Sequence, residues 1–217
     1  MDRESLLMGY YEALSKALGP CHWWPGETPF EIAVGAILVQ NTNWKNVEKA
    51  IHNLKENDAL TLQGIRKLSL EELQELIRPS GFFRIKSVRL INFLNFLNDN
   101  SAECITDLAS FDTFTLREKL LSVKGIGPET ADSILLYAMK KPIFVVDAYT
   151  RRIFNRHMLI HEDIEYHELQ DFFMDVLKED VQLFNEYHAL LVKTAKEWCK
   201  KTDPDCDNCP LGKFLNN

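Results

Sequence analysis

Apolar residues recur along this chain at the three- and four-residue spacing of amphipathic helices. The run Pro142–Val146 is instead β-like, and because it is short and isolated we expect an extended connector. The chain is therefore predicted to be all-α. The predicted helices span residues 3–18, 28–40, 43–56, 69–77, 84–98, 104–109, 115–122, 128–140, 147–157, 166–178 and 181–200.

Several of these helices begin with residues that cap a helix N-terminus. A serine or threonine followed three residues later by glutamate is typical of a capping box, in which each side chain accepts a hydrogen bond from the other residue's backbone N–H. The pattern occurs three times, as Thr28 with Glu31, Ser69 with Glu72, and Thr115 with Glu118.

The composition is that of a globular protein. The 217 residues are 46% hydrophobic, which is enough for one sizeable core or for two small lobes. We expect no signal peptide, and the longest apolar run, Ile32–Val39, is too short to cross a membrane, so a soluble cytoplasmic protein is predicted. The net charge of −7 and the pI of about 5.4 are acidic, so binding to nucleic acid would need a local basic patch.

The segment Val123–Ala131 joins two predicted helices through a Gly-x-Gly turn. Gly125 and Gly127 allow a tight turn with positive φ, and Pro128 suits the first turn of the next helix. The turn amides and the helix N-terminus would then face one point, which suits a DNA phosphate and involves no reading of sequence. An ordinary helix–helix turn is the alternative, but apolar residues on both sides favour a packed hairpin that contacts DNA.

Asp147 follows the extended connector and precedes a predicted helix, where aspartate is a good N-cap. Capping alone explains this residue, yet a helix N-terminus also favours the ionised carboxylate. An ionised carboxylate can stabilise an oxocarbenium-like sugar or orient an attacking water. Arg151 and Arg152 follow on the same segment and are candidates for phosphate contacts, or else for a solvated face.

Trp23, Trp24 and Pro25 stand just before a predicted helix, and Trp44 stands at the next helix junction. Tryptophans are most often structural core residues. They are also flat walls on which a flipped base can stack, and tryptophan is the best aromatic partner for a cationic ring. Purine nucleosides methylated at N3 or N7 carry such a charge and have weakened glycosidic bonds, so an aromatic box and one aspartate could suffice to release the base.

Three of the five cysteines, Cys199, Cys206 and Cys209, cluster near the C-terminus, which in a cytosolic chain indicates a metal site more than disulfides. Together the hairpin, the segment Val145–Arg152 and these cysteines resemble the endonuclease III, or helix-hairpin-helix-GPD, superfamily of DNA glycosylases. The resemblance extends from about residue 20 to 210.

The resemblance implies two α-helical lobes with a DNA cleft between them. Residues 20–135 would form a six-helix bundle that ends in the hairpin, and residues 1–19 with 136–217 would form the second lobe, which carries the cysteines. It also implies that Asp147 is catalytic and that Gly125 and Gly127 bind a phosphate of double-stranded DNA whose damaged base is flipped out.

One position departs from the bifunctional members of this superfamily. These carry a lysine two residues after the second hairpin glycine, and its amine forms a Schiff base with the sugar and leads to strand cleavage. The same position here is Glu129. Because a carboxylate cannot form a Schiff base, we predict a monofunctional glycosylase without lyase activity, in which water is the nucleophile.

Within the superfamily, the tryptophan pair with its proline, the Gln-Asn-Thr sequence at 40–42, the aromatic residue after it and the glutamate resemble the bacterial 3-methyladenine DNA glycosylase III branch. This resemblance implies that Trp24, Pro25 and Trp44, together with Trp23, wall the base pocket. It further implies that Gln40 fills the gap left by the flipped nucleotide. The alternative for Gln40 is a satisfied polar residue at a helix end.

The cysteine cluster is incomplete by the same comparison. Endonuclease III-like enzymes hold a [4Fe–4S] cluster with a fourth cysteine, and its place here is occupied by Leu215. Three thiolates leave open an iron–sulfur cluster with three irons, a fourth ligand such as Asp205 or Asp207, zinc with a ligand from elsewhere, or a loop held by packing alone.

We therefore expect a monomeric DNA glycosylase of base excision repair that hydrolyses the N-glycosidic bond of alkylated purines such as 3-methyladenine. A mismatch or damaged-pyrimidine (uracil or thymine) glycosylase would share Asp147 and the hairpin and is the first alternative. The second is a non-catalytic helix-hairpin-helix protein that only binds DNA. No membrane partner is expected.

Overall fold

The computed structural model describes residues 2–21 and 23–215, and every regular element in this part of the chain is a helix. The all-α prediction is confirmed, and Pro142–Val146 is a connector without regular secondary structure. The α-helices are α1 (Arg3–Leu18), α2 (Pro29–Leu38), α3 (Trp44–Glu56), α4 (Leu62–Lys67), α5 (Leu70–Ile77), α6 (Phe83–Asp99), α7 (Thr113–Leu121), α8 (Pro128–Ser133), α9 (Ala148–Arg156), α10 (Tyr166–Met174) and α11 (Val181–Glu197). Short 3₁₀ helices lie at Arg78–Ser80, Ile105–Ser110 and Gly212–Phe214.

The helix starts are set by local caps, although not always by the predicted residue. Ser69 and Glu72 form the expected capping box. The box predicted at Thr115 is wrong, because Asp112 accepts the Thr115 N–H and α7 therefore begins at Thr113. Aspartate is at least as good a cap as threonine, so the earlier position prevails.

Two other segments differ from the helical pattern. The predicted α-helix at 104–109 is the 3₁₀ helix Ile105–Ser110, and the short helix α4 was not predicted. The predicted helix at 128–140 changes its winding part-way, since α8 continues as a π-helix over Ile134–Ala138. All five residues of this π-helix are buried.

The contacts divide the chain into two compact units. The continuous unit is Trp24–Lys141, and the discontinuous unit combines Met1–Trp23 with Pro142–Asn217. The family resemblance predicts residues 20 and 135 as the limits of the lobe that corresponds to this continuous unit. Each unit has its own buried core.

In the continuous unit, helix α2 is the central element, because its residues from Glu31 to Leu38 are all buried. Its C-terminal end is held by Lys86, whose Nζ lies 2.7 Å from both the Leu38 and the Ser80 carbonyl oxygens. Burial of this ammonium, with a smaller effect of the nearby Arg89, lowers the pKa of Lys86 to about 8. Lys86 thereby gives a donor to the last carbonyl of α2 and to the last carbonyl of the 3₁₀ helix Arg78–Ser80, and so joins the two helix ends.

Helices α7 and α8 of the same unit are joined by a buried ion pair. The Arg117 guanidinium donates from Nε to Asp132 Oδ1 at 2.7 Å and from Nη2 to Oδ2 at 3.1 Å. The Asp132 side chain is fully buried and that of Arg117 is 18% exposed. A bidentate pair of this kind fixes the geometry of the two helices that flank the Gly125 turn.

In the discontinuous unit, the core is largely aromatic. Phe144 of the connector stacks on Phe173 of α10 with ring centroids 4.1 Å apart, and its edge contacts Phe184 and Tyr187 of α11. The Gln170 amide donates to the Phe144 carbonyl at 2.6 Å. The connector is therefore anchored immediately before Asp147.

Candidate active site

Asp147 is the N-cap of α9, as its sequence position predicts. Its Oδ1 accepts hydrogen bonds from the Thr150 N–H at 2.8 Å and from the Thr150 hydroxyl at 3.0 Å. The Asp147 side chain is only 11% exposed. Capping therefore occupies one carboxylate oxygen and leaves the other with a separate environment.

The second oxygen, Oδ2, faces His188 of α11. The distance from Oδ2 to His188 Nε2 is 3.5 Å, and the His188 side chain is 6% exposed. Burial alone raises the pKa of the Asp147 carboxyl, but the close approach of the His188 imidazole, with the two Thr150 donors, outweighs it and holds this pKa below its usual value. The carboxylate is therefore ionised at neutral pH although it is buried. Nothing in the sequence pattern singled out His188.

The Gly-x-Gly turn of the continuous unit uses its two glycines differently. Gly125 has φ of +100°, and a Cβ there would lie 2.4 Å from Cγ of Arg89, so glycine is required. Gly127 caps α8 with φ of −96° and ψ of 177°. The expectation of positive φ at Gly127 is therefore wrong, because a residue that precedes proline favours the extended region.

Gln40 is attached to this hairpin. Its Nε2 donates to the Gly125 carbonyl at 3.1 Å and to Thr130 Oγ1 at 2.8 Å, and its Oε1 accepts from Arg89 Nη1. The neighbouring Lys124 carbonyl accepts from the Asn92 amide at 2.9 Å. The hairpin carbonyls are thus bound by side chains from outside the hairpin, which braces the turn whose amides the sequence predicts for phosphate contact.

An aromatic cluster lies elsewhere in the continuous unit. Trp24 contacts Trp44 edge-on with ring centroids 5.1 Å apart and meets Tyr137 at 5.0 Å. A Cβ at Gly35 would lie 3.3 Å from Cη2 of Trp44 and 3.5 Å from Nε1 of Trp24, so the two indoles pack directly against α2 at this glycine. Tyr137 comes from the π-helix and was not predicted, because a periodic pattern does not reveal where a helix changes its winding.

Pro25 and Trp23 are the other two residues predicted to line the pocket. Pro25 is exposed, and Trp23 is half-buried in the discontinuous unit. The indole N–H of Trp44 is buried and has no hydrogen-bond partner among the described residues. A buried donor without a partner is uncommon in proteins and is typical of a site that receives a ligand or water.

The two arginines after Asp147 differ in their surroundings. Arg151 is exposed. Arg152 donates to the Cys199 carbonyl at 2.7 Å and to the Ala195 carbonyl at 3.2 Å, and its guanidinium lies over the Tyr149 ring. Arg152 thus caps the end of α11, whereas Arg151 faces solvent.

The three cysteines line one narrow space together with Asp205. Arg156 Nη1 donates to Cys199 Sγ at 3.0 Å, and burial, followed by the neighbouring cysteines, raises the pKa of the Cys209 thiol. Across residues 2–21 and 23–215, no three histidine, cysteine, aspartate or glutamate side chains converge so as to hold a metal ion. The described donor set does not fit a cluster held by four protein ligands, and the iron–sulfur cluster stays a prediction.

The comparisons with known proteins agree with this architecture. The profile of the HhH-GPD superfamily of base excision DNA repair proteins matches residues 34–179. The chain belongs to this superfamily. It is a DNA glycosylase of base excision repair. Within the described residues, no helix combines the length and the hydropathy needed to cross a bilayer.

Individual relatives cover nearly the whole HhH-GPD chain. It is 47% identical over 215 residues to MJ1434 of Methanocaldococcus jannaschii, whose name as a DNA repair glycosylase is provisional, with 98% and 97% of the two chains covered. It is 30% identical over 189 residues to endonuclease III of Thermotoga maritima, with 87% and 81% covered. The structure of the H. pylori 3-methyladenine DNA glycosylase MagIII bound to 1,N6-ethenoadenine superposes with a TM-score of 0.74 and 33% identity, and covers 91% of this chain and 98% of that one.

Proposed function

We propose that this glycosylase releases alkylated purines such as 3-methyladenine by hydrolysis and does not cleave the DNA strand. The observation that carries the substrate class is the cluster of Trp24, Trp44 and Tyr137. Aromatic faces bind a cationic ring, and the indole N–H of Trp44 supplies a hydrogen-bond donor for a purine nitrogen. The likeness to the H. pylori 3-methyladenine glycosylase supports the same class.

The chemistry assigned to Asp147 follows from its charge. The bond between C1′ and the base nitrogen breaks, and its electron pair leaves with the base, which neutralises a cationic methylpurine. The Asp147 carboxylate stabilises the positive charge that develops on the sugar. Water then forms the new bond to C1′, and its proton passes to the carboxylate and on to solvent. A cationic leaving group needs no proton donor, so one carboxylate suffices.

The lack of strand cleavage is inferred from Glu129. This residue is exposed in the first turn of α8, where the bifunctional members have their lysine. A carboxylate cannot attack C1′ to form a Schiff base. The exposed Arg151 and the hairpin of Gly125 and Gly127 are proposed as backbone contacts, which position the duplex without reading its sequence.

The substrate class is tested by base release from dimethyl sulfate-treated duplex DNA and from G·U and G·T duplexes, each divided into alkali-treated and untreated samples. We expect release of 3-methyladenine, with strand breaks only after alkali. Release from the mismatches instead would replace the substrate class but keep Asp147. Strand breaks without alkali would overturn the monofunctional assignment, and no release from any duplex would favour a protein that only binds DNA.

The cluster of Trp24, Trp44 and Tyr137 leads to a second prediction. Trp44→Leu is expected to lower the rate of 3-methyladenine release by a factor that corresponds to about 1–3 kcal/mol of lost stacking. Trp198→Leu, at the end of α11, is the matched control and should leave the rate unchanged once folding has been verified. An equal loss in both variants, measured as single-turnover rates at equal folded fraction, would show that Trp44 only stabilises the fold.

A further inference from the structure

We infer that His188 is a positioning residue. It orients Oδ2 of Asp147 and favours the ionised carboxylate in a buried site. The inference rests on the proposed catalytic role of Asp147 and adds the residue through which the fold controls it. The proposed effect of His188 passes through the Asp147 carboxylate and requires no contact between His188 and the base or the sugar.

The two oxygens of the Asp147 carboxylate have different partners. Oδ1 accepts two hydrogen bonds from Thr150 and completes the N-cap of α9. The Thr150 side chain belongs to the same helix turn, so these contacts fix Oδ1 but allow the carboxylate plane to turn about it. Only a group from another element can restrain Oδ2, and His188 of α11 lies 3.5 Å from it.

The Asp147 carboxylate is also buried. Taking a carboxylate out of water favours its protonated form, which cannot stabilise a cationic sugar. The side chains of both Asp147 and His188 are nearly inaccessible to solvent, so water does not screen their interaction. A histidine at this position therefore replaces the water that a buried carboxylate lacks as a polar partner. A hydrocarbon side chain could not do so.

Other charged groups of α9 and α11 have partners of their own. The cations of the adjoining helix faces, Arg152 of α9 and Lys196 of α11, pack over the Tyr149 ring, and Arg152 also binds carbonyls of α11. The hydroxyl of Tyr187 donates to the Leu7 carbonyl of α1. In the part of the chain that the structure describes, the groups that lower the pKa of the Asp147 carboxyl are thus His188 and the Thr150 donors.

The test uses three variants of the full-length protein. His188→Leu removes the polar partner, His188→Gln keeps an N–H donor at similar reach, and His157→Leu makes the same change at a half-buried histidine that binds Tyr10 instead. The first readout is a titration of the Asp147 carboxyl carbon by NMR, with the signal assigned through Asp147→Asn. It requires no substrate. The second is the pH profile of single-turnover release of 3-methyladenine from dimethyl sulfate-treated duplex DNA.

We expect the Asp147 pKa to rise in His188→Leu, so that the acid limb of the rate profile moves to higher pH than in the wild-type protein. The rate at neutral pH should fall about 10- to 100-fold with little change in DNA affinity. His188→Gln should restore most of the rate, and His157→Leu should change neither readout. In an Asp147→Asn background, His188→Leu should cause no further loss, because its effect passes through the carboxylate.

An unchanged Asp147 titration in a folded His188→Leu variant would overturn the inference, and so would equal rate losses in His188→Leu and His188→Gln. If Asp147→Asn itself retains full excision, the proposed function of Asp147 fails. The NMR titration distinguishes the two failures, since it reports on the pair whether or not the pair acts in catalysis.

Discussion

Asp147→Asn is expected to abolish base release while the protein remains folded. Asparagine is as good an N-cap as aspartate, and its carbonyl oxygen can accept the Thr150 N–H and hydroxyl as Oδ1 does now. It carries no charge, so the stabilisation of a cationic sugar is lost and the single-turnover rate should fall by at least about 10²- to 10³-fold. The measurement is release of 3-methyladenine under enzyme excess, with DNA affinity measured on the same duplex.

Asp112→Asn is the matched control, since Asp112 caps α7 with the same Oδ1 contact to the N–H three residues on. This variant should release the base at the rate of the wild-type protein. The free energy of unfolding of both variants should lie within about 0.5 kcal/mol of the wild-type value, because Asp and Asn are equivalent caps. A folded Asp147→Asn protein with undiminished excision would leave capping as the only role of Asp147.

Asp132→Ala is expected to have the largest effect on stability. It removes one partner of the buried bidentate pair between α7 and α8 and leaves the Arg117 guanidinium, 18% exposed, without its carboxylate. Breaking a buried pair in this way costs about 3–5 kcal/mol. Chemical denaturation measures the loss, and DNA affinity should fall with it because the same two helices carry the hairpin.

The control for this prediction is Glu75→Ala. Glu75 pairs with Arg78 through side chains that are 70% and 61% exposed, and an exposed pair contributes at most about 1 kcal/mol. If Asp132→Ala is no more destabilising than Glu75→Ala, the ion pair between α7 and α8 does not hold the hairpin.

Local features were the ones that the sequence predicted well. The periodic apolar positions predicted an all-α chain, and the short apolar run before Asp147 was correctly predicted to connect two helices. The capping box at Ser69 forms as predicted, because its hydrogen bonds join residues that are three positions apart in the chain. The error at Thr115 has the same origin, since Asp112 competes for the same N–H within one turn.

Contacts between distant elements could not be predicted in this way. Gln40 reaches the Gly125 carbonyl across 85 positions in the chain, and no periodic pattern records that bond. Tyr137 joins the tryptophans because α8 changes to a π-helix, a shift of winding that depends on the packing around it. His188 lies in an ordinary amphipathic helix, and only the docking of α11 against α9 brings it to Asp147.

The sequence by itself thus determined the helical class, the cap that carries the candidate carboxylate, the glycine turn and the glutamate in place of a lysine. These follow from interactions within a few residues, or from the chemistry of a single side chain, and need no knowledge of the fold. The tertiary structure alone decided what surrounds Oδ2, what braces the hairpin and which aromatic rings meet. Those features arise from side chains that are far apart in the chain and become neighbours only when the helices pack.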